Sequence, residues 1–436
     1  MESLLILPWG DPKGWEEVEY VFNDIKLKSR STLPLLIKKI KPSKVIVITL
    51  DTLASSGNSY SEILDNVRNY CSDFISNKLG VKEKVDVLVA PGVGEFKNGV
   101  FKGRMEDFYS YILFKLSQIL PNGDAAIHLD LTHGVNFMPT LTYKAISEIA
   151  GIYAICRRVK LTVYNSEPYN KNIKKLSIHV VEDSETKPRP SLDALTSSKR
   201  LLRPINMNPE ERERLFKHEL KCRSRIDYRE LNAFLSSVAN GLPLALYSLY
   251  PDATALENCL KISEKVFMKH VDVSSSNGRL FVKRKLCFDY DFRACTKVYL
   301  TTKVLNMLRK REVVLAELYE LIKTIFSAKK LKSAISRDIY EIENRVKECI
   351  IGEKSKYNSW ILLRELVKGK DKSKGKSSRE KPDLRNFLAH SGLEHNITQI
   401  KVVISDGYER SLKDIILVRY APSEIKTVVD LASNGV

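Results

Sequence analysis

The pattern of hydrophobic runs in this 436-residue chain predicts an α/β domain with a parallel-rich, six-stranded sheet, followed by a mainly α-helical domain. Over residues 1–185, short β-branched runs alternate with amphipathic helical stretches; over Leu300–Ile351, apolar stripes alternate with Lys, Arg and Glu as in the helices of a bundle. Between them, residues 186–300 change character and read as a linker and helical connector.

Ser3 to Leu7 is the first strand, and Val45–Leu50 and Val85–Ala90 are β-branched runs suited to burial on both faces. Ile63, Leu64, Val67, Tyr70, Cys71, Phe74 and Ile75 recur as the buried stripe of one helix. Ala125–Leu131 is the next strand and Met138–Ile149 the next helix, while Lys160–Tyr164 and Leu176–Val181 read as edge strands that complete the six. From Glu182 to about Pro209 the chain reads as a linker, and Glu210–Tyr250 and Thr254–His270 as helices. A hairpin is expected around Ser274–Gly278. This middle part leaves two readings open, a connector that relays a signal, which we prefer, and a helix–turn–helix that reads DNA. Leu300–Ile351 has the stripes of bundle helices, and Ile400–Ile404, a turn at Ser405–Gly407 and Ile415–Val418 read as a strand pair.

Such a length exceeds what one hydrophobic core usually serves, and 43% hydrophobic residues suffice to fold two or three domains. A net charge of +18 and a pI near 9.4 imply a polyanionic partner, with nucleic acid the first expectation. No apolar run approaches the length of a membrane span, and Met1–Gly10 lacks a basic leader region and is interrupted by Pro8, so a soluble protein without membrane contact is expected. The seven cysteines, at 71, 156, 222, 259, 287, 295 and 349, form no Cys-x-x-Cys pair, which predicts a reducing cytoplasm and no zinc site.

In an open parallel sheet, ligands collect at the carboxyl ends of the strands. Three such loops are rich in small hydroxyls and glycines: Pro8–Pro12 with Gly10 and Asp11, Asp51–Asn58 with Thr52, Ser55 and Ser56, and Thr132–Asn136. Free backbone amides at helix starts suit a phosphate or ribose. A dinucleotide enzyme is disfavoured, because the first turn has only Gly10 and Gly14 and lacks Gly-x-Gly-x-x-Gly, and Gly92–Gly94 is incomplete.

Near the C-terminus, Arg385 and His390 stand five residues apart on a short helix framed by Pro382, Asp383 and Gly392. Arginine supplies a permanent charge and a fork of donors for a phosphate, and histidine titrates nearest neutral pH. The two together can drive RNA transesterification through the 2′-hydroxyl with no metal. At about 100° per residue, positions i and i+5 lie roughly 140° apart, whereas Asn386 and His390 share a face, making Asn386 a supporting residue. Either Arg385 curls back or the site combines copies from two chains, the reading we prefer. Lys368–Lys381, almost without apolar side chains, has the composition of a cationic lip that gathers RNA phosphates or of a plain surface insertion.

Asp130-Leu-Thr-His-Gly-Val-Asn136 resembles the signature of CARF domains of CRISPR-associated proteins, and Arg385-Asn-Phe-Leu-Ala-His390, with Ser391-Gly392, resembles the Arg-x4-His motif of HEPN ribonucleases. In this order they resemble the ancillary ribonucleases of type III CRISPR antiviral defence. The resemblance implies a Rossmann-like CARF domain over 1–185, a connector over 186–300 and a HEPN domain over 301–436. It further implies a homodimer, or an assembly of such dimers, in the cytoplasm. Cyclic oligoadenylate, cyclic tetra-adenylate in particular, is the implied activator; the implied substrate is single-stranded RNA, cut to a cyclic phosphate and a 5′-hydroxyl with no cofactor or metal. Arg385 and His390 become the catalytic pair. Thr132, His133, Gly134 and Asn136 match the ligand-loop motif, and Gly10, Asp11, Thr52, Ser55 and Ser56 are assigned to the ligand by position. For His133 two readings stay open, contact with adenine or phosphate, and a structural role capping the helix or packing beneath the loop. The alternative for the whole chain is a CARF-type, ligand-responsive transcription regulator that binds DNA.

Overall fold

The β-branched runs form the centre of a sheet because they are apolar on both sides: every residue from Val45 to Leu50 is buried. The computed structural model describes the chain apart from residues 223–225, 327, 351–357, 368–381, 404–410 and 436. The lysine-rich run 368–381 and the turn expected at Ser405–Gly407 therefore lie outside the described residues. Two units divide the chain, each discontinuous: 1–189 with 200–223 and 257–300, and 190–199 with 224–256 and 301–436. The segment 186–300, expected as a separate linker and connector, is shared between them.

In the first unit the strands are, in chain order, β1 (Glu2–Pro8), β2 (Val18–Phe22), β3 (Ile25–Ser29), β4 (Lys44–Leu50), β5 (Val85–Ala90), β6 (Gly94–Phe96), β7 (Gly99–Lys102), β8 (Ala125–Asp130), β9 (Val159–Ser166) and β10 (Lys175–Glu185). Eight of them form one sheet in the order β3-β2-β10-β9-β8-β1-β4-β5. Its β9-β8-β1-β4-β5 portion is parallel throughout. Helices between these strands supply the crossovers, Tyr60–Asp73 burying Ile63, Val67 and Cys71 as the spacing predicts. The sheet has eight strands, not six, and its edges are β3 and β5, not β9 and β10. The difference is the hairpin β2–β3, which joins the sheet through parallel pairing of β2 with β10. Tyr20 and Phe22 of β2 pack into the same core as Leu176 and Ile178 of β10.

A smaller sheet pairs the β6–β7 hairpin with a second hairpin, Val271–Ser276 and Arg279–Arg284, through parallel contact of β7 with Arg279–Arg284. Asn277 and Gly278, at φ 51° and 71°, make the tight turn between the latter strands. Gly99 has to be glycine, since a Cβ there would lie 2.5 Å from the Leu280 carbonyl oxygen.

The second unit is mainly helical. Its 22-residue helix Lys329–Ile350 buries Ile335, Ile339, Ile342 and Val346 along one stripe. A four-stranded antiparallel sheet completes it, in the order Glu312–Val314, Ile416–Tyr420, Thr398–Val402, Ile361–Leu362. Its central pair is the one expected from residues 400–418. Among the described residues no helix is long and apolar enough to cross a membrane.

Candidate active site and ligand cleft

Asp383 starts the helix Leu384–Ala389 by accepting hydrogen bonds from the Asn386 amide at 2.8 Å and from Asn386 Nδ2 at 2.9 Å. Phe387 is fully buried and anchors the helix, which leaves Arg385 and Asn386 exposed. His390 is the C-cap, at φ −103°, and the chain then reverses through Ser391 and Gly392 at φ 51° and 75°. The Gly392 amide donates to the Phe387 carbonyl at 2.8 Å and the Ser391 amide to the Leu388 carbonyl at 3.2 Å, the two bonds of a Schellman motif. Serine in a left-handed conformation is strained, and a buried bond holds it there: its hydroxyl donates to Asp338 Oδ2 at 2.7 Å.

His390 thus stands where the helix has already ended, and the angular separation expected for i and i+5 does not govern it. Its imidazole is half-buried and faces His395, ring centroids 5.6 Å apart and tilted by 34°. Asp338, Glu341 and Arg345 of the long helix line the same cleft, and Glu341 and Arg345 form an ion pair. Burial, then the nearby Arg345 and His390, push the pKa of His395 down. Arg385 does not line this cleft, and it has no hydrogen-bond or ion-pair partner among the described residues.

At the other end of the chain, a cleft of about 780 Å³ opens at the carboxyl ends of β1, β4 and β8. Gly10 and Asp11 enter it after β1, Thr52 and Ser55 after β4, and Asn136 after β8. The loops after β1 and β8 are stitched together by the Gly10 amide, which donates to the His133 carbonyl at 2.9 Å. A Cβ on Gly10 would lie 2.6 Å from a Val135 methyl, so any larger residue there would force Val135 to shift. Asn136 has φ 51° and ψ −115°, a strained setting, yet its side chain makes no capping bond to the helix Phe137–Tyr153 that it precedes. The cleft therefore receives, beside a positive helix end, a side-chain amide with no partner among the described residues. Trp9 in its wall is fully buried, with an indole N–H that has no partner among the described residues.

Comparisons with known proteins cover the regions that hold both clefts. Residues 4–168 match the family model described as CRISPR system endoribonuclease Csx1, CARF domain, and residues 328–422 match CRISPR system endoribonuclease Csx1, HEPN domain. Over 432 residues the chain is 34% identical to the CRISPR system endoribonuclease Csx1 of Methanocaldococcus jannaschii, an alignment that spans 93% of this chain and 88% of that protein. This chain belongs to the Csx1 family of CRISPR-system endoribonucleases. It is an endoribonuclease with a CARF domain and a HEPN domain, in the order that its two motifs imply. The alternative of a DNA-reading regulator is thereby set aside.

Within this Csx1-family chain the expected residues fall into two groups. Gly10, Asp11, Thr52, Ser55 and Asn136 line the CARF cleft; Ser56, Thr132, His133 and Gly134 do not. Thr132 instead donates to the buried Asp130 at 2.6 Å and accepts from the Ser166 amide at 3.0 Å. His133 stacks on Trp15 with centroids 4.0 Å apart, its Nε2 3.4 Å from both the Tyr20 hydroxyl and the Thr32 amide. Burial pushes its pKa down to about 3, so at neutral pH this ring carries no charge for a phosphate. The ring packs beneath the loop against Trp15, Tyr20 and Thr32. Asn386 serves the helix cap: its side chain bonds Asp383, and only its backbone carbonyl reaches the His390 amide, at 3.1 Å.

Sequence reasoning missed Lys13, Asn66, Tyr70, Lys97 and Asn98 in the cleft wall, and Asp338, Arg345 and His395 around His390. Lys97 and Asn98 form the β6–β7 turn, whose place beside the strand ends depends on its pairing with a hairpin some 180 positions away. Among the described residues no group of three or more His, Cys, Asp or Glu side chains is placed to hold a metal ion.

Proposed function

We propose that this Csx1-family enzyme cuts single-stranded RNA when cyclic tetra-adenylate occupies the CARF cleft, and that the cut is a metal-free transesterification by the RNA 2′-hydroxyl. The observation that carries this reading is the standing of Arg385 and His390: an exposed arginine with no partner among the described residues, and an imidazole locked by a Schellman motif at the end of the same helix. In the proposed reaction His390 assists proton transfer and Arg385 orients and neutralises the scissile phosphate. Because Arg385 does not line its own His390 cleft, the proposed centre draws on two chains of a homodimer.

For the activator, Lys13 and Lys97 offer charge to phosphates, and Asn66, Asn98 and Asn136 offer donors and acceptors to adenine edges. Two such clefts facing each other across a dimer axis bring four lysines to the four phosphates of a tetra-adenylate ring. Gating further requires that the ligand bind the cutting state more tightly than the idle one. In this reading the enzyme serves type III CRISPR antiviral defence in the cytoplasm.

The test is RNA cleavage with cyclic tri-, tetra- and hexa-adenylate, each with and without EDTA, with the product ends identified. Cyclic tetra-adenylate alone is expected to raise the rate, EDTA to leave it unchanged, and the products to carry a 2′,3′-cyclic phosphate and a 5′-hydroxyl. Equal rates without any activator, or a strict metal requirement, would overturn the proposal.

A further inference from the structure

Transesterification moves two protons. The 2′-hydroxyl must lose one as its oxygen attacks phosphorus, and the departing 5′-oxygen must gain one; in an in-line displacement these oxygens stand on opposite sides of the phosphorus. The Arg-x4-His motif supplies one imidazole, but the His390 cleft contains two. Ser391 and Gly392 reverse the chain, and the Leu393 amide donates to the His390 carbonyl at 2.7 Å. This brings His395 back toward His390, rings 5.6 Å apart and tilted by 34°. The position of His395 is fixed from both sides. Its carbonyl accepts from the Arg364 amide at 3.2 Å, and the next residue, Asn396, donates hydrogen bonds from its backbone amide and from Nδ2 to the Glu394 carboxylate, each at 2.8 Å. Both residues are half-buried and line the same cleft.

We propose that His395 is a second catalytic imidazole that takes the proton from the 2′-hydroxyl while His390 delivers one to the 5′-oxygen, an inference that rests on reading this cleft as the RNA-cutting centre. The 2′-oxygen–phosphorus bond forms as the phosphorus–5′-oxygen bond breaks. His395 ends protonated and His390 neutral, and exchange with water restores both. No oxidant, reductant or metal enters the balance. The charged groups facing His395 are Arg345, Glu341 and His390, with Glu394 on its own loop. Burial comes first, and then Arg345 and His390, in favouring the neutral ring, the form that can accept a proton.

The experiment compares the activated parent enzyme, His390→Ala and His395→Gln in single-turnover cleavage of two RNAs, one all-oxygen and one with sulfur at the 5′-bridging position. A thiolate leaves without a proton, so sulfur relieves the loss of the acid and not of the base. On all-oxygen RNA, His395→Gln is expected to cut on the order of 10²–10⁴ slower than the parent. The sulfur substrate should restore most of the rate of His390→Ala and leave the deficit of His395→Gln in place. His395→Asn, whose shorter side chain perturbs packing differently, should behave as His395→Gln does; equal melting temperatures would show that both variants fold. A parental rate for both His395 variants overturns the proposal. So does relief of both histidine defects alike by sulfur, which would make His395 a positioning residue acting through His390. If His390→Ala itself cuts all-oxygen RNA at the parental rate, the reading of the centre fails, and the two failures are distinguished.

Discussion

Ser391 controls where His390 stands. Its left-handed backbone lets the chain fold back after the short helix, and its hydroxyl bonds the buried Asp338 carboxylate at 2.7 Å. Ser391→Ala keeps the backbone strain and leaves Asp338 without that donor, so a loss of about 1–3 kcal/mol in urea unfolding is expected. Ser391→Gly loses the same bond but relieves the strain, worth about 1 kcal/mol, and should cost less. Equal losses would show that the backbone conformation contributes nothing. His133 gives a pH signature. Its folded pKa is about 3 against an ordinary 6.5, so below 6.5 the unfolded chain binds a proton that the folded chain refuses. Stability then falls with pH by up to about 1.4 kcal/mol per unit through that window, roughly 2 kcal/mol between pH 7 and pH 5. His133→Gln should flatten this part of the dependence, and an unchanged slope would rule the histidine out as its source. Arg385 and His390 were readable as a motif because their chemistry is local. His395 was not, because its approach to His390 depends on the reversal at Ser391–Gly392.

Among the elements, the hairpin ending at Arg284 is held by an unusual buried ion pair. Arg284 and Asp51 are both fully buried and bonded to each other, and Arg284 Nη1 also donates to the Gly92 carbonyl at 2.8 Å. Asp51 accepts further bonds from the Gly92 amide and the Tyr60 hydroxyl, each at 2.8 Å. Asp51 immediately precedes Thr52 in the cleft, and Asn98 ties the carbonyls of Thr52 and Ala54 at 2.7 and 2.6 Å to the β6–β7 turn. Arg284→Met leaves a buried carboxylate uncompensated and is expected to destabilise the protein by about 3–5 kcal/mol. Adding Asp51→Asn removes that charge and should recover a large part of the loss in the same unfolding assay; no recovery would mean that packing rather than charge dominates. The sheet's centre was legible because Val45–Leu50 and Val85–Ala90 are unbroken apolar runs. The β2–β3 hairpin was not, because Lys26 and Lys28 alternate with Ile25 and Leu27 and leave only a half-apolar signal.

For the protein as one body, the order of its two domains was legible from motifs near either end, whereas the discontinuous units were not. Which unit residues 190–199 or 224–256 join is decided by packing against partners distant in sequence: Asn232, for example, exchanges hydrogen bonds of 2.7 and 2.9 Å with the backbone of Leu195. The formal charge of +18 agrees with an RNA substrate, and cleavage should weaken steeply as salt rises. If two chains build one cutting centre, activity per chain should fall on dilution below the dimer's dissociation constant and return on concentration; a constant specific activity down to fully monomeric enzyme would exclude a shared centre. The decisive measurement is the single-turnover rate on all-oxygen RNA for the parent and His390→Ala, both saturated with cyclic tetra-adenylate. We expect rapid cutting by the parent and only background by His390→Ala. A clean preparation of His390→Ala that cuts at the parental rate would place the chemistry elsewhere.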